Sequence, residues 1–416
     1  MSEIQKPTRR YHKKSRNGCM PCRSRRIKCD ETHPSCKKCQ RAQLSCRYGK
    51  SISASESPAE TTPSTGIPSH MRQSQGIPCM PADTSSTGFD MLDLTLMHHY
   101  TTSTSASLFG EEQKDLWQTE VPMMARSSSL LMHGLLATSA LHMAFLHKDD
   151  PSRPAYTNRA LYHHSLGLQL FNADITTLSK EDSNGHVLFT FGVLLVIWAY
   201  ASPTIPSIIP TEPDEQLTEN GESLDLDALL SSLDLVRGNK VLFELSSETI
   251  SSQPIGAFTK PSNRSVLSRT DSSSSAPSSL LRAIQGALST LRKHVTDFID
   301  TSAIDHLERF LLETISTSAR DMRMPLGWPA LVEAPFWARV KAHKPPALLI
   351  LMHYAVVLAC YEDRTWWMVG WSGRLLDSVR RVLGECAGED WRGCFEDVQV
   401  LVARVRVWEE AMPVPV

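Results

Sequence analysis

Apolar periodicity divides this chain before anything else does. No apolar heptads occur between Tyr48 and Phe89. From Asp90 onward apolar residues recur at helical spacing. MLDLTLMHHYTTSTSASLF opens a helical segment. Ser127, Ser128 and Ser129 then offer N-caps to LLMHGLLATSALHMAFLH. Leu131, Leu135, Thr138, Leu141, Met143 and Phe145 predict a mostly buried helix there. AYTNRALYHHSLGLQLF, 155–171, reads as a third helix. VLFTFGVLLVIWAYA, 187–201, is apolar nearly all round. At about 15 residues it falls short of the roughly 20 that span a bilayer, so it reads as a central core helix.

The pattern fades over 202–279, where Pro, Ser and acidic residues suggest a low-complexity insertion. Inside it, SLDLDALLSSLDLV (223–236) alternates acids with leucines. Two readings stay open there: an activation-type segment, or an amphipathic helix docked on the body. Helical spacing resumes with Leu281, Ile284, Leu288, Leu291, Val295 and Phe298. That run is too short for a coiled coil and predicts packing within the body. SAIDHLERFLLETIS continues as another helix.

Charge sharpens the division. The chain has 416 residues and a formal net charge of −2. Residues 1–50 hold 15 Lys and Arg against 3 Asp and Glu, whereas the remainder holds 28 against 42. A basic arm on an acidic body is the electrostatic footprint of nucleic-acid binding. The run RRYHKKSR (9–16) suits a nuclear import signal, a phosphate-contacting arm or a solvated tail. Residues 51–88 are rich in Ser, Thr and Pro and predict a disordered linker.

Candidate chemistry concentrates in the basic part. Cys19, Cys22, Cys29, Cys36, Cys39 and Cys46 follow the spacing C-x2-C-x6-C-x6-C-x2-C-x6-C. Each half is a close pair with a third cysteine farther on. A two-residue gap lets one turn present both thiolates to one metal, and soft thiolates favour tetrahedral zinc. Two four-coordinate metals need eight ligand positions, which six sulfurs supply if two are shared. Disulfides are the competing chemistry, but they belong to small secreted domains. The first residues carry no apolar segment of a signal peptide, and Cys79, Cys360, Cys386 and Cys394 are scattered. Metal is therefore expected.

This spacing, with RSRRIKCD and Pro34 before Cys36, resembles the fungal binuclear zinc-cluster transcription factors. The resemblance implies two zinc ions per chain. It implies that Cys19 and Cys36 bridge them, one metal taking Cys19, Cys22, Cys29 and Cys36 and the other Cys36, Cys39, Cys46 and Cys19. Each half would be a short helix followed by an extended strand, the first helix entering the major groove of double-stranded DNA at a CGG-like triplet. Arg25 and Arg26 match the base-reading positions, while Arg23 and Lys28 lie nearer the phosphates; Lys37 and Lys38 add charge from the second half. An arginine fork suits guanine O6 and N7 independently of any family. A module this small has little apolar core, so the metals should supply its folding energy.

A second, looser resemblance covers most of the chain except 202–279. Trp328-Pro329, Pro346-Ala347-Leu348, His353-Tyr354, Trp366-Trp367 and Gly370-Trp371 are similar to the sterol uptake control group of regulators, as are LLMHGLLATSALHMAF and HKKSRNGC. That resemblance implies an all-helical body. Sterol sensing does not transfer residue by residue, and these aromatic positions read first as core.

No H-E-x-x-H, no phosphate loop ending in Gly-Lys-Ser/Thr and no G-x-S-x-G occurs. His142 and His147 are five apart and His163 and His164 diverge, so neither pair shares a helical face. His353 reads as a hydrogen-bonded core residue. No enzyme is expected. The expected fold class is a small zinc-stabilised N-terminal DNA-binding module plus a large all-α helical domain, joined by disordered linkers. The expected divisions are 1–18 (basic arm), 19–47 (zinc cluster), 48–88 (linker), 89–201 (first part of the body), 202–279 (insertion) and 280–416 (second part). Expected function is activation of RNA polymerase II genes in the nucleus, for a secondary-metabolite or a lipid and sterol gene set. Expected partners are DNA and the transcription machinery. A homodimer through the body, an apolar small-molecule ligand such as a sterol, and a protein-binding zinc module without DNA readout stay open. No membrane is expected.

Overall fold

The computed structural model describes residues 19–25, 27–32, 35–42, 46, 90–178, 184–205, 225–260, 277–316, 321–384 and 392–410. The expected arm, the whole of the expected linker and Arg26 lie outside them. Two compact units divide the chain, Met1–Ala82 and Asp83–Val416. The described residues form helices and turns, with no strand among them.

The first unit has two short helices, α1 (Met20–Ser24) and α2 (Lys37–Arg41). Its core is sulfur: Cys19, Cys22, Cys29, Cys36 and Cys39 are buried, with Cys46 packed on them. The expected extended strand after α1 is not formed, since residues 27–32 carry no regular structure, and most of the stretch after α2 lies outside the described residues. A unit without an apolar core has no sheet face to bury, so hydrogen bonds to sulfur and the turns of the chain set its backbone.

The second unit begins at a capping box. Asp90 Oδ1 accepts from the backbone N–H of Leu92 and Asp93 at 2.9 and 3.0 Å, and Asp93 Oδ2 accepts from Asp90 N–H at 3.2 Å. This starts α3 (Met91–His99), which passes through a π turn into α4 (Ala106–Phe109); α5 (Val121–Ala125) follows. Ser128 caps α6 (Ser129–Leu146), its Oγ accepting from Leu131 N–H at 3.3 Å. α7 (Arg153–Ile175) returns along α6, and α8 (Gly185–Ala201) packs on both. Glycine makes that close approach feasible. A Cβ at Gly134 would come within 2.9 Å of Phe191, and one at Gly167 within 2.8 Å of the same ring.

The expectation for 202–279 needs correcting. Residues 225–260 are not an insertion outside the body. α9 (Leu226–Leu245) and α10 (Ser247–Ser252) pack on α8, and a 3-10 turn follows at Pro254–Thr259. Leu226, Leu229, Leu230, Leu233 and Val236 are buried, so the described part of 223–236 is a docked helix. Phe258 lies edge-on to Phe109 and Trp117, at 4.8 and 5.6 Å between centroids. Residues 206–224 and 261–276 lie outside the described residues.

The predicted run 281–298 divides in two. α11 (Ser278–Lys293) buries Ile284, Leu288 and Leu291; the chain then turns, and Phe298 opens α12 (Phe298–Ser316) at 84% exposure. The 3-4 spacing carried across the break because it counts residues and not turns. α13 (Met324–Leu331), α14 (Ala334–Lys341), α15 (Pro345–Ala359), α16 (Trp371–Gly384) and α17 (Arg392–Glu410) complete the body.

Three helical segments are long and apolar enough to cross a membrane: Ser129–Leu146, Gly185–Thr204 and Pro345–Arg364. The second exceeds the 15 residues expected because helical turns extend it at both ends. Burial inside the body takes up 72, 72 and 89% of these windows, which explains their composition as core. Tryptophans fasten this core across the chain. Trp366 Nε1 donates to Ser107 Oγ and Trp367 Nε1 to Leu108 O, both at 3.1 Å, and Trp371 Nε1 donates to Tyr200 O at 2.7 Å.

Candidate metal centre and nucleic-acid face

Both short helices start immediately after the first cysteine of a half. Cys36 caps α2, its Sγ accepting from Cys39 N–H at 3.3 Å. A matched pair of bonds closes each half: Cys19 N–H donates to Cys29 Sγ at 3.4 Å, and Cys36 N–H to Cys46 Sγ at 3.3 Å. The repeat seen in the spacing is therefore a repeat in space.

The sulfurs converge. Cys19 Sγ lies 3.7 Å from Cys36 Sγ and 3.6 Å from Cys39 Sγ, and Cys22 Sγ lies 3.6 Å from Cys36 Sγ. A tetrahedron with zinc–sulfur bonds of about 2.3 Å has edges of about 3.8 Å. The donor set thus has the dimensions zinc requires. The cross-contacts join the halves: the sulfurs of Cys19, Cys22, Cys36 and Cys39 all lie within 4.8 Å of one another. Cys19 reaches Cys39 of the second half, and Cys36 reaches Cys22 of the first.

Electrostatics favour bound cations. Burial pushes the thiols of Cys19, Cys22 and Cys39 upward, that of Cys39 to about 12. Cys46 is shifted down instead, chiefly by the N–H of Cys36. Crowded sulfurs cannot all ionise beside one another without positive charge among them. Two zinc ions supply that charge.

Basic side chains surround this centre. Arg25, Lys28, Lys37 and Lys38 are exposed. Arg25 follows α1, its N–H donating to Pro21 O at 3.1 Å. The helix places Arg23 at its fourth residue, while Arg26 lies outside the described residues.

One participant was not singled out from the sequence. Asp30 Oδ2 accepts from Lys37 N–H at 3.1 Å and from the Thr32 hydroxyl. The Thr32 hydroxyl, followed by the backbone N–H groups, holds its carboxyl at about 2. The signal was an acid placed directly after Cys29 within an otherwise basic stretch.

The body's polar residues are structural. Asp93 takes both Nε and Nη2 of Arg159, at 2.7 and 2.5 Å, and sits 2.8 Å from His163 Nε2. His164 instead stacks on Trp198, so the adjacent histidines do diverge. His353 Nδ1 lies 2.7 Å from Leu349 O inside α15. Trp328, Trp367 and Trp371 fill the interior. Two clefts, of about 390 and 340 Å³, lie open on the surface beside Gly238 and Leu331 and beside Ser128 and Val187.

These two units correspond to a pair of known domains. The fungal Zn(2)-Cys(6) binuclear cluster domain matches residues 17–55, and the fungal specific transcription factor domain matches 95–285. The second match runs through 202–279, in agreement with the packing of α9. A Zn(2)-C6 fungal-type transcription factor, afumD of Aspergillus fumigatus, is 32% identical over 59% of this chain and 58% of its own length. A second such factor, from Gibberella zeae, is 30% identical over 47% of this chain and 48% of its own. Sterol uptake control protein 2 of Candida albicans is 55% identical, but over 40 residues only, 10% of this chain and 6% of its own. The chain spans about half the length of the first two relatives. It carries both of these domains and is similar to Zn(2)-C6 fungal-type transcription factors. Its cofactor is a pair of zinc ions.

Proposed function

We propose that the zinc-cluster unit reads a CGG-like triplet in double-stranded DNA and that the helical body governs transcription from it in the nucleus. The observation that carries this reading is the convergence of α1 and α2 on one buried sulfur cluster with Arg25, Lys28, Lys37 and Lys38 exposed around it. Cys19, Cys22, Cys29 and Cys36 hold one zinc; Cys36, Cys39, Cys46 and Cys19 hold the other. Cys19 and Cys36 bridge, in keeping with their contacts into the opposite half. Zinc fixes the two helices without an apolar core. Arg25 and Arg26 contact base edges, and Arg23, Lys28, Lys37 and Lys38 contact phosphates, which position the unit. The acidic body acts on the transcription machinery as an activator. The sterol uptake relative matches only the N-terminal unit, so a sterol ligand for the body forms no part of the proposal.

Selection from random DNA by the zinc-loaded chain, with metal analysis, tests this. The expected result is two zinc ions per chain and an enriched GC-containing triplet. Arg26→Ala should then relax base preference, by about 1–3 kcal/mol of discrimination, while Lys28→Ala weakens all sequences alike. Two zinc ions with no enriched motif would favour a protein-binding zinc module.

A further inference from the structure

Asp30 belongs to neither set of residues assigned so far, yet it joins them. It follows Cys29, the last cysteine of the first half, and its partner Lys37 follows Cys36, the first cysteine of the second. The bond from Lys37 N–H to Asp30 Oδ2 therefore crosses the loop between the halves. Three observations show a built arrangement. Thr32 turns its hydroxyl onto the same oxygen. Glu31 adopts φ 57°, a left-handed conformation that costs a non-glycine residue energy, and its N–H donates to Cys29 Sγ at 3.4 Å, turning the chain directly after Asp30. The carboxylate also lies within 4.8 Å of the sulfurs of Cys29 and Cys36. An anion beside sulfur is unfavourable unless donors occupy its lone pairs, and the Thr32 hydroxyl and Lys37 N–H do so.

The bond has a local role. The first N–H groups of a helix have no partner inside it. Cys36 Sγ takes that of Cys39, and Asp30 takes that of Lys37. The start of α2 is thus held from two directions, by the cluster and by the end of the first half. Lys37 and Lys38 are the residues so held, and both side chains are exposed.

We propose that Asp30 is a positioning residue for DNA binding: by tethering the start of α2 to the first half, it fixes where Lys37 and Lys38 meet the phosphates. This rests on the DNA-reading function proposed above. Asp30 touches neither DNA nor metal in this role.

The test compares Asp30→Ala with Asp30→Asn in the full zinc-loaded chain. Asparagine keeps an oxygen that can accept from Lys37 N–H; alanine keeps none. Both variants should retain two zinc ions and, with cobalt substituted, the parent spectrum. Asp30→Ala should bind specific and random duplexes about three- to tenfold more weakly. Its plot of log affinity against log salt should flatten by up to about 1.8, the value for two lost phosphate contacts at roughly 0.9 each. Asp30→Asn should recover most of both. Without DNA, hydrogen exchange at the Lys37 amide should be fast in Asp30→Ala and slow in parent and Asp30→Asn. Loss of zinc from Asp30→Ala would overturn the proposal by making the residue part of the cluster. An unchanged salt slope, or an Asp30→Asn as weak as Asp30→Ala, would overturn it too. A parent chain that binds no DNA refutes the DNA reading, and the Lys37 exchange rates then still decide the tether.

Discussion

Cysteine sulfurs in this protein do the work that leucines do in the body. Cys19 and Cys36, the proposed bridging ligands, are the informative pair, since their sulfurs lie 3.7 Å apart across the two halves. Losing a shared ligand removes a bond from both metals, and metal binding in such units is folding free energy. Cys19→Ala should therefore release both zinc ions and unfold the unit, whereas Cys46→Ala should retain one. Metal analysis of the purified variants checks this; two zinc ions in Cys19→Ala would refute the sharing. The six positions were readable from spacing alone, because thiols two residues apart in a basic segment suit a shared metal far better than a disulfide. Asp30 was marked in the sequence only as an acid next to Cys29, and its role was not readable. Its role depends on a loop bringing residue 30 to residue 37, and no period in the sequence reports that.

Helices followed their apolar spacing where one face is buried, and escaped it elsewhere. α6 and α8 were legible because they are buried nearly all round. α9 was read as part of an insertion because Ser and Asp interleave its leucines and acidic, proline-rich sequence precedes it. Its inner face is nonetheless fully committed, with Leu229 wholly buried. Leu229→Ala should cost about 2–5 kcal/mol, the range for a large-to-small change in a packed core. Chemical denaturation of the body would show it as a lower midpoint with an unchanged slope. A dispensable insertion would show no shift. Phe298 marks the opposite error. Its spacing fits the preceding run, but the helix ends at Lys293 and a new one starts, so the ring faces solvent.

At the scale of the whole body, buried histidines set its response to acid. Burial lowers His142 to about 3 and His164 to about 4, and it lowers His353 to about 4 despite the Leu349 carbonyl. The unfolded chain takes up these protons near pH 6.5, while the folded chain refuses them until well below. Stability is thus fully present above about pH 6.5 and falls as pH drops toward 4, by up to about 1.4 kcal/mol per pH unit for each group. Denaturation midpoints measured from pH 7.5 to 4.5 should decline steadily, and His353→Gln should reduce the decline. A flat profile would show that these rings are protonated in the folded state.

The tryptophan bonds also govern when the body can take shape during synthesis. The donors of Trp366 and Trp367 meet acceptors 259 residues earlier, at Ser107 and Leu108, and Trp371 reaches back 171 residues to Tyr200. Such contacts join distant parts of the chain, and loop closure on that scale is slow. While a ribosome is still translating the region before residue 366, Ser107, Leu108 and Tyr200 lack these partners, although α8 can already pack on α6, α9 and α10. The body therefore completes its packing only once Trp371 has been made and has left the ribosome.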